Sequence, residues 1–335
     1  MASKGARSDL RQVPVPRKRG TSVRSVRKYK ITPRSRSGAQ ESPLYGLKAG
    51  EWQKPYLRTS HGVLYNCDCM DLFRALGTGS IDTIFADPPF NLGKDYGHGK
   101  VNDRLEEKRY LEWCFGWLEE SARVLKPGGS LFVYILPRWA YRFATFLDSR
   151  LAFRHWIAVC MKGTFPRGRK LYPAHYALLY FTKGEPKTFN RVRLPIPTCR
   201  HCGKDIKDYG GHRKYLNPEG LNLTDFWEDT SPNRHRKFKT RNVNELKIMI
   251  PARAIEISTN PGDVVLDPFG GGGSTYQAAQ ERNRLWIGCE LGDCSPIRSR
   301  IEGMDSLSCS MSPPAILRTA FMDVRHDLSF LRVTT

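Results

Sequence analysis

Apolar positions along this chain follow two rhythms. Short unbroken runs of β-branched and aromatic residues alternate with longer stretches at helical spacing. The run Ile81-Asp82-Thr83-Ile84-Phe85-Ala86 predicts a buried strand, closed abruptly by Asp87-Pro88-Pro89-Phe90. Further strands are predicted at Val63 to Tyr65, Ser130 to Tyr134, His155 to Met161, Tyr176 to Thr182, Val264 to Leu266 and Leu285 to Glu290. Helices are predicted between them, near Asp71 to Ala75, Arg104 to Leu125, Pro137 to Leu147, Pro251 to Ser258 and Ser274 to Arg282. The second of these carries Tyr110, Leu111, Cys114, Phe115, Leu118 and Ala122 near helical spacing, and Lys126-Pro127-Gly128-Gly129 ends it. Strand and helix in alternation predict a doubly wound, mostly parallel α/β sheet.

Two strand ends carry the chemistry. In an open α/β sheet, ligands bind where strands end. At the first, two prolines fix two φ angles and remove two N–H donors, which leaves rigid acceptor carbonyls beside the Asp87 carboxylate and the Phe90 ring. Such a set suits a planar base with an exocyclic amine, as presented by an adenine turned out of a duplex. The plainer reading is a turn that stops a strand. At the second, Asp267-Pro268-Phe269 leads into Gly270-Gly271-Gly272-Gly273-Ser274-Thr275. Glycines there let the backbone approach a ligand, and a helix start offers free N–H groups. Glu290 closes the next strand about twenty residues on, where a carboxylate can accept ribose hydroxyls.

From these residues, roughly 60 to 292 of the chain resembles the amino-group DNA methyltransferases that use S-adenosylmethionine. The base motif precedes the cofactor loop, with a basic segment between, which is similar to the permuted class called β. The resemblance implies a Rossmann-like seven-stranded sheet and adenine N6 as the target, on the strength of Asp87. It implies that Asp87, Pro88, Pro89 and Phe90 hold the base, with Phe90 standing where tyrosine is commoner. It implies a cofactor site of Asp68, Asp267, Phe269, Gly271, Gly273, Ser274, Thr275 and Glu290, with Asp68 on the cofactor's adenine. A plainer reading makes Asp68 the N-cap of the helix that follows it. Cytosine N4 is the nearest alternative target, and a noncatalytic DNA-binding relative is a further one. A nucleotide-dependent oxidoreductase would need a dinucleotide glycine fingerprint, and none is present.

Charge adds a partner. The 335 residues carry a formal net charge of +21, of which residues 1 to 40 hold +11 and residues 160 to 240 hold +10. Positive charge gathered in two segments beside a neutral core fits double-stranded DNA. Residues 1 to 45 read as a disordered basic arm, 60 to 183 and 245 to 302 as the two halves of the methyltransferase domain, and 303 to 335 as a tail. The intervening 184 to 244, rich in basic residues and proline, is where the family places target recognition. Candidate DNA contacts are Lys162, Arg167, Arg169, Lys170, Arg213, Lys214, Arg234, Arg236 and Lys237. His175 is a weaker candidate near the base. The segment Asn91 to Lys100 reads as a mobile loop over the site.

Nine cysteines without regular spacing suggest a reducing, cytoplasmic setting, and no apolar run approaches the ~18 residues a membrane span needs. Cys199-Arg200-His201-Cys202 with His212 looks like half of a zinc knuckle, but no second cysteine pair lies nearby, so no metal is assigned. A homodimer and a cognate restriction endonuclease are left open.

Overall fold

The computed structural model describes residues 54–93, 104–161, 169, 171, 174–199, 201–205, 210–230 and 246–305. The basic arm, residues 94–103 and residues 306–335 of the tail lie outside them.

The core is one mixed sheet flanked by helices on both faces. Its strands are β1 (Leu57–Arg58), β2 (Gly62–Tyr65), β3 (Ile81–Ala86), β4 (Leu125–Ile135), β5 (Ala152–Cys160), β6 (His175–Thr182), β9 (Phe226–Trp227), β10 (Val264–Asp267) and β11 (Leu285–Cys289). A separate two-stranded ribbon pairs β7 (Arg193–Leu194) with β8 (Leu221–Asn222). The main sheet runs β1-β2-β11-β10-β3-β4-β6-β5-β9. Strands β2, β11, β10, β3 and β4 are parallel, whereas β6 is antiparallel to both β4 and β5.

Nine strands therefore stand where seven were expected. The two extra ones, β1 and β9, are two-residue edges too short to show a period. Trp227 nonetheless seats β9 firmly: it is 1% exposed, and the adjoining Asp229 pairs with buried Arg253.

Helices α1 (Cys69–Ala75), α2 (Glu107–Val124) and α3 (Pro137–Leu147) cover one face. Helices α4 (Met249–Ser258), α5 (Ser274–Gln280) and α6 (Ser295–Asp305) cover the other. Alternate residues of one strand feed opposite layers: Ile84 and Ala86 pack towards α1 to α3, Phe85 towards α4. Burial on both faces is why these strands read as continuous apolar runs.

Most boundaries agree with the apolar pattern, and β4 is the instructive exception. The breakers at Lys126 to Gly129 end α2, yet the chain is already in the sheet at Leu125. Pairing passes from Ile81↔Leu125 to Thr83↔Ser130, so the breaker segment is a bulge opposite Asp82. Gly128 makes it possible with φ +77°, and Lys126 Nζ reaches Asp82 Oδ2 at 2.6 Å. Helix α4 begins two residues before Pro251, which thus sits in the first turn, where the missing N–H costs nothing. Helix α6 lies where the sequence showed only a weak pattern.

Candidate active site

Strands β3 and β10 are parallel neighbours, with Ile84 opposite Leu266. Asp87 and the segment after Asp267 therefore leave the sheet at the same edge. From there the chain after β3 crosses through α2 on one face, and the chain after β10 crosses through α5 on the other. Crossovers that diverge in this way open a crevice between the two strand ends.

On one side of the crevice, Pro88 is buried, while Asp87, Pro89 and Phe90 are partly exposed. Two aromatic donors hold the turn from behind. The Tyr110 hydroxyl donates to the Pro89 carbonyl at 2.7 Å, and Trp139 Nε1 donates to the Phe90 carbonyl at 3.0 Å. The expectation of several carbonyls open to a guest is thereby corrected. Of the three, only that of Pro88 accepts no hydrogen bond from the described residues. Next, Asn91 takes a left-handed conformation (φ 57°) and clamps Leu105, donating from Nδ2 to its carbonyl at 3.0 Å and accepting its N–H at 2.7 Å. This clamp ties the motif to the chain just ahead of α2. Most of the loop between them, 94–103, lies outside the described residues.

Phe90 rests on an aromatic floor that sequence reading had not assembled. Its ring centroid lies 5.8 Å from Tyr176 and 6.2 Å from Tyr134, and those two are 4.9 Å apart. Burial pushes the Tyr134 hydroxyl well above its ordinary pKa, and the Asp87 carboxylate and Tyr176 push in the same direction. Tyr134 is thus neutral and sits within the field of Asp87. His175 opens β6, opposite Cys160 and one residue before this floor.

Across the crevice, the glycine loop needs its glycines. Gly271 and Gly273 have φ of 52° and 80°, a region side chains disfavour. A Cβ on Gly270 would stand 2.7 Å from the Tyr276 hydroxyl oxygen and 3.0 Å from the Cys289 carbonyl oxygen. Glu290, at the end of β11, receives the Gly271 N–H at 2.6 Å and the Gly292 N–H at 2.8 Å. Its carboxylate already shapes the loop and keeps further acceptor capacity. Asp267 is fully enclosed and accepts the Phe269 N–H at 2.9 Å. Burial raises its pKa to about 7, against the lowering effect of bonds from Thr275 and Phe269.

Two further expected cofactor residues also have structural duties. Asp68 caps α1, its Oδ1 accepting the Met70 N–H at 2.8 Å. Capping takes one oxygen and leaves the carboxylate at the carboxyl edge of β2, beside β11. The Ser274 hydroxyl donates to the Leu246 carbonyl at 2.9 Å and accepts from Arg300 at 3.1 Å, so it fastens α5 to its surroundings.

The two sides of the crevice are joined through α2. Phe269 meets the rings of Trp117 and Trp113 at 5.2 and 5.8 Å, and Trp113 meets Tyr110 at 6.1 Å. Tyr110 in turn holds Pro89. In the sequence these residues look like an ordinary core stripe, and nothing distinguishes Tyr110 from its neighbours.

Of the basic candidates, Lys162, Arg167, Lys170, Arg234, Arg236 and Lys237 lie outside the described residues, as does the side chain of Arg213. Arg169 and Lys214 are exposed, and Lys214 Nζ lies 5.0 Å from the centroid of the exposed Tyr215 ring. Among the described residues no group of three or more His, Cys, Asp or Glu could hold a metal ion, and no helix is long and apolar enough to cross a membrane.

Comparison with known proteins places this geometry. The DNA methylase family of N6 and N4 methyltransferases matches residues 81–294. The chain is 50% identical over 253 residues to the type II methyltransferase M.BamHI of Bacillus amyloliquefaciens, a match that covers 75% of this chain and 60% of that protein. It is 33% identical over 229 residues to the type II methyltransferase M.HpaI of Haemophilus parainfluenzae, covering 67% and 69%. Among solved structures, the PvuII DNA methyltransferase, described as cytosine-N4-specific, superposes with a TM-score of 0.55 at 18% identity. That match covers 79% of this chain and 93% of the other, and speaks to the fold.

Proposed function

This chain belongs to the DNA methylase family, and from that premise we propose that it transfers a methyl group from S-adenosylmethionine to adenine N6 in duplex DNA, acting on a base turned out of the helix. One observation carries the reading: β3 and β10 end side by side, so the Asp-Pro-Pro-Phe turn and the glycine loop face one crevice. The order of the motifs along the chain resembles that of the permuted β class.

The residues of the glycine loop fit the cofactor. Asp267 is a buried carboxyl that holds its proton up to a pKa of about 7, a group whose ionised form a cationic amino acid end would stabilise. Glu290 and Asp68, on the adjacent strand ends β11 and β2, would take the ribose and the adenine amine. When bound, the cofactor supplies an electrophilic methyl on a sulfonium. Asp87 and the Pro88 carbonyl accept the two hydrogens of the target amine and turn its lone pair towards that methyl. As that methyl passes from the cofactor's sulfur to the amine nitrogen, Asp87 would lie on the side from which the amine proton departs. Phe90, supported by Tyr134 and Tyr176, stacks on the base and offsets part of the ~few kcal/mol that unstacking costs. Catalysis is then chiefly positioning.

Residues 184 to 244, with the basic arm, would face DNA. The relatives M.BamHI and M.HpaI are named type II methyltransferases, and a cognate restriction endonuclease for this chain is left open. Cytosine N4 is the second reading, favoured by the fold shared with the cytosine-specific PvuII protein, and the aromatic floor beneath Phe90 suits a pyrimidine as well as a purine.

Incubating the protein with duplex DNA and S-adenosylmethionine, then analysing nucleosides by mass spectrometry, tests the reading. N6-methyladenine is expected, and its loss in Asp87→Ala with cofactor binding retained. N4-methylcytosine would replace the first reading with the second, and no methylated base would end both.

A further inference from the structure

Cys199 and Cys202 stand apart from the other described cysteines. Cys67, Cys69, Cys114, Cys289 and Cys294 are buried, and burial pushes the thiols of Cys69, Cys114 and Cys289 upward. Cys160 is partly exposed but is also raised, by burial and then by Glu228. Cys202 is exposed and Cys199 partly so, at the tip of a tight hairpin.

The hairpin is built to hold the pair. Thr198 bridges Asp205, the Cys199 N–H donates to the Lys204 carbonyl at 2.7 Å, and the Gly203 N–H donates to the Cys199 carbonyl at 2.8 Å. Gly203 closes the turn with φ +66°. The bond from the Gly203 N–H to the Cys199 carbonyl closes a five-residue turn, within which residues three apart lie near the span a disulfide bridges. The Cys199 sulfur accepts hydrogen bonds from the backbone N–H groups of Cys202 and His201 and from the Cys202 thiol, and these donors lower its pKa. A thiolate stabilised by N–H donors in an accessible turn is the attacking form in disulfide exchange. A closed tetrahedral metal site would need four ligands, and the described residues bring no third one to this pair.

We propose that Cys199 and Cys202 form a redox-active dithiol that closes reversibly to an intramolecular disulfide at the expense of a small disulfide such as oxidised glutathione. The Cys199 thiolate attacks one sulfur of the oxidant, giving a mixed disulfide and releasing one glutathione thiol. The Cys202 thiolate then displaces the second. The chain gives up two electrons and two protons, and the oxidant leaves as two thiols.

The full chain is equilibrated in a series of reduced and oxidised glutathione mixtures, the free thiols are alkylated, and each cysteine is followed by mass spectrometry. Cys199 and Cys202 are expected to lose alkylation together as the oxidised fraction rises, and to recover with dithiothreitol, while the buried cysteines hold constant. Under reducing conditions Cys199 should alkylate about tenfold faster than Cys160 at neutral pH. Cys202→Ser should trap a glutathione adduct on Cys199. Equal reactivity of Cys199 and Cys160, disulfides only between chains, or a bound zinc that shields both thiols until it is chelated would each overturn the proposal.

Discussion

Tyr110, on the first turn of α2, donates its hydroxyl to the carbonyl of Pro89 at 2.7 Å. The same ring packs at 4.9 Å against Trp139, whose own Nε1 holds the next carbonyl, that of Phe90. The shelf proposed to seat the base is thus fastened by two helices that cover the sheet face below it. Through Trp113 and Phe269, one of those helices also touches the proposed cofactor loop.

Tyr110→Phe retains the ring and deletes the hydroxyl's bond to Pro89 together with its contact to the Cys114 thiol. One such bond is worth about 1 kcal/mol net, equivalent to about a fivefold change in rate. The turnover number for methyl transfer is expected to fall by about that factor while the cofactor Kd is unchanged. Steady-state kinetics beside calorimetric cofactor titration would show it, and an unchanged turnover number would refute the role.

Asp267 makes stability depend on pH in an unusual direction. Its pKa is about 7 in the fold and 3.8 as an ordinary carboxyl, so between those values the folded chain binds one more proton than the unfolded one. Without cofactor, this contribution is whole below the lower value, declines as pH rises towards the upper, and is gone above it. Its size is on the order of 4 kcal/mol at most. Urea titrations across that range should show the decline, and Asp267→Asn should flatten it. A cationic cofactor that favours the carboxylate should bind more tightly as pH rises through neutrality, and calorimetry in buffers of different ionisation enthalpy would register the released proton.

Asn91 supports the shelf from the far end through its paired bonds to Leu105. Asn91→Gly preserves the left-handed backbone and removes the clamp. The KM for DNA is expected to rise several-fold with little effect on the cofactor, since the glycine loop is untouched. Asn91→Ala adds backbone strain of about 1 kcal/mol, which thermal unfolding would detect.

Gly288 lies inside β11, and a Cβ there would come within 2.1 Å of the Tyr276 hydroxyl oxygen and 2.3 Å of its ring. Tyr276 is fully buried and donates its hydroxyl to the Asp267 carbonyl at 3.0 Å. Gly288→Ala should therefore displace Tyr276, destabilise the fold by about 1–3 kcal/mol and weaken cofactor binding by more than that loss of stability accounts for. Chemical denaturation and cofactor titration of the same variant separate the two effects.

Much of this was legible in the chain itself. The apolar runs at Ile81 to Ala86 and Val264 to Leu266 are strands whose extent differs from expectation by at most one residue. Their ends announce chemistry because prolines and glycines constrain the backbone locally, whatever the rest of the molecule does. Asp68 shows the limit of such reading: a carboxylate ahead of a helix suits both a ligand and a cap, and the structure shows the capping bond.

The amino acid order by itself determined which segments are strands and helices, where the turns need proline or glycine, and which residues could meet a base or a cofactor, since those properties rest on φ and ψ preferences and side-chain period within a few residues. Only the tertiary structure decided that β3 and β10, about 180 residues apart, are neighbours, that Tyr110 and Trp139 take the Pro89 and Phe90 carbonyls, and that Tyr134 and Tyr176 lie under Phe90. Pairing between distant strands, and the donors that reach a given carbonyl, depend on how whole layers pack. No local pattern encodes that choice.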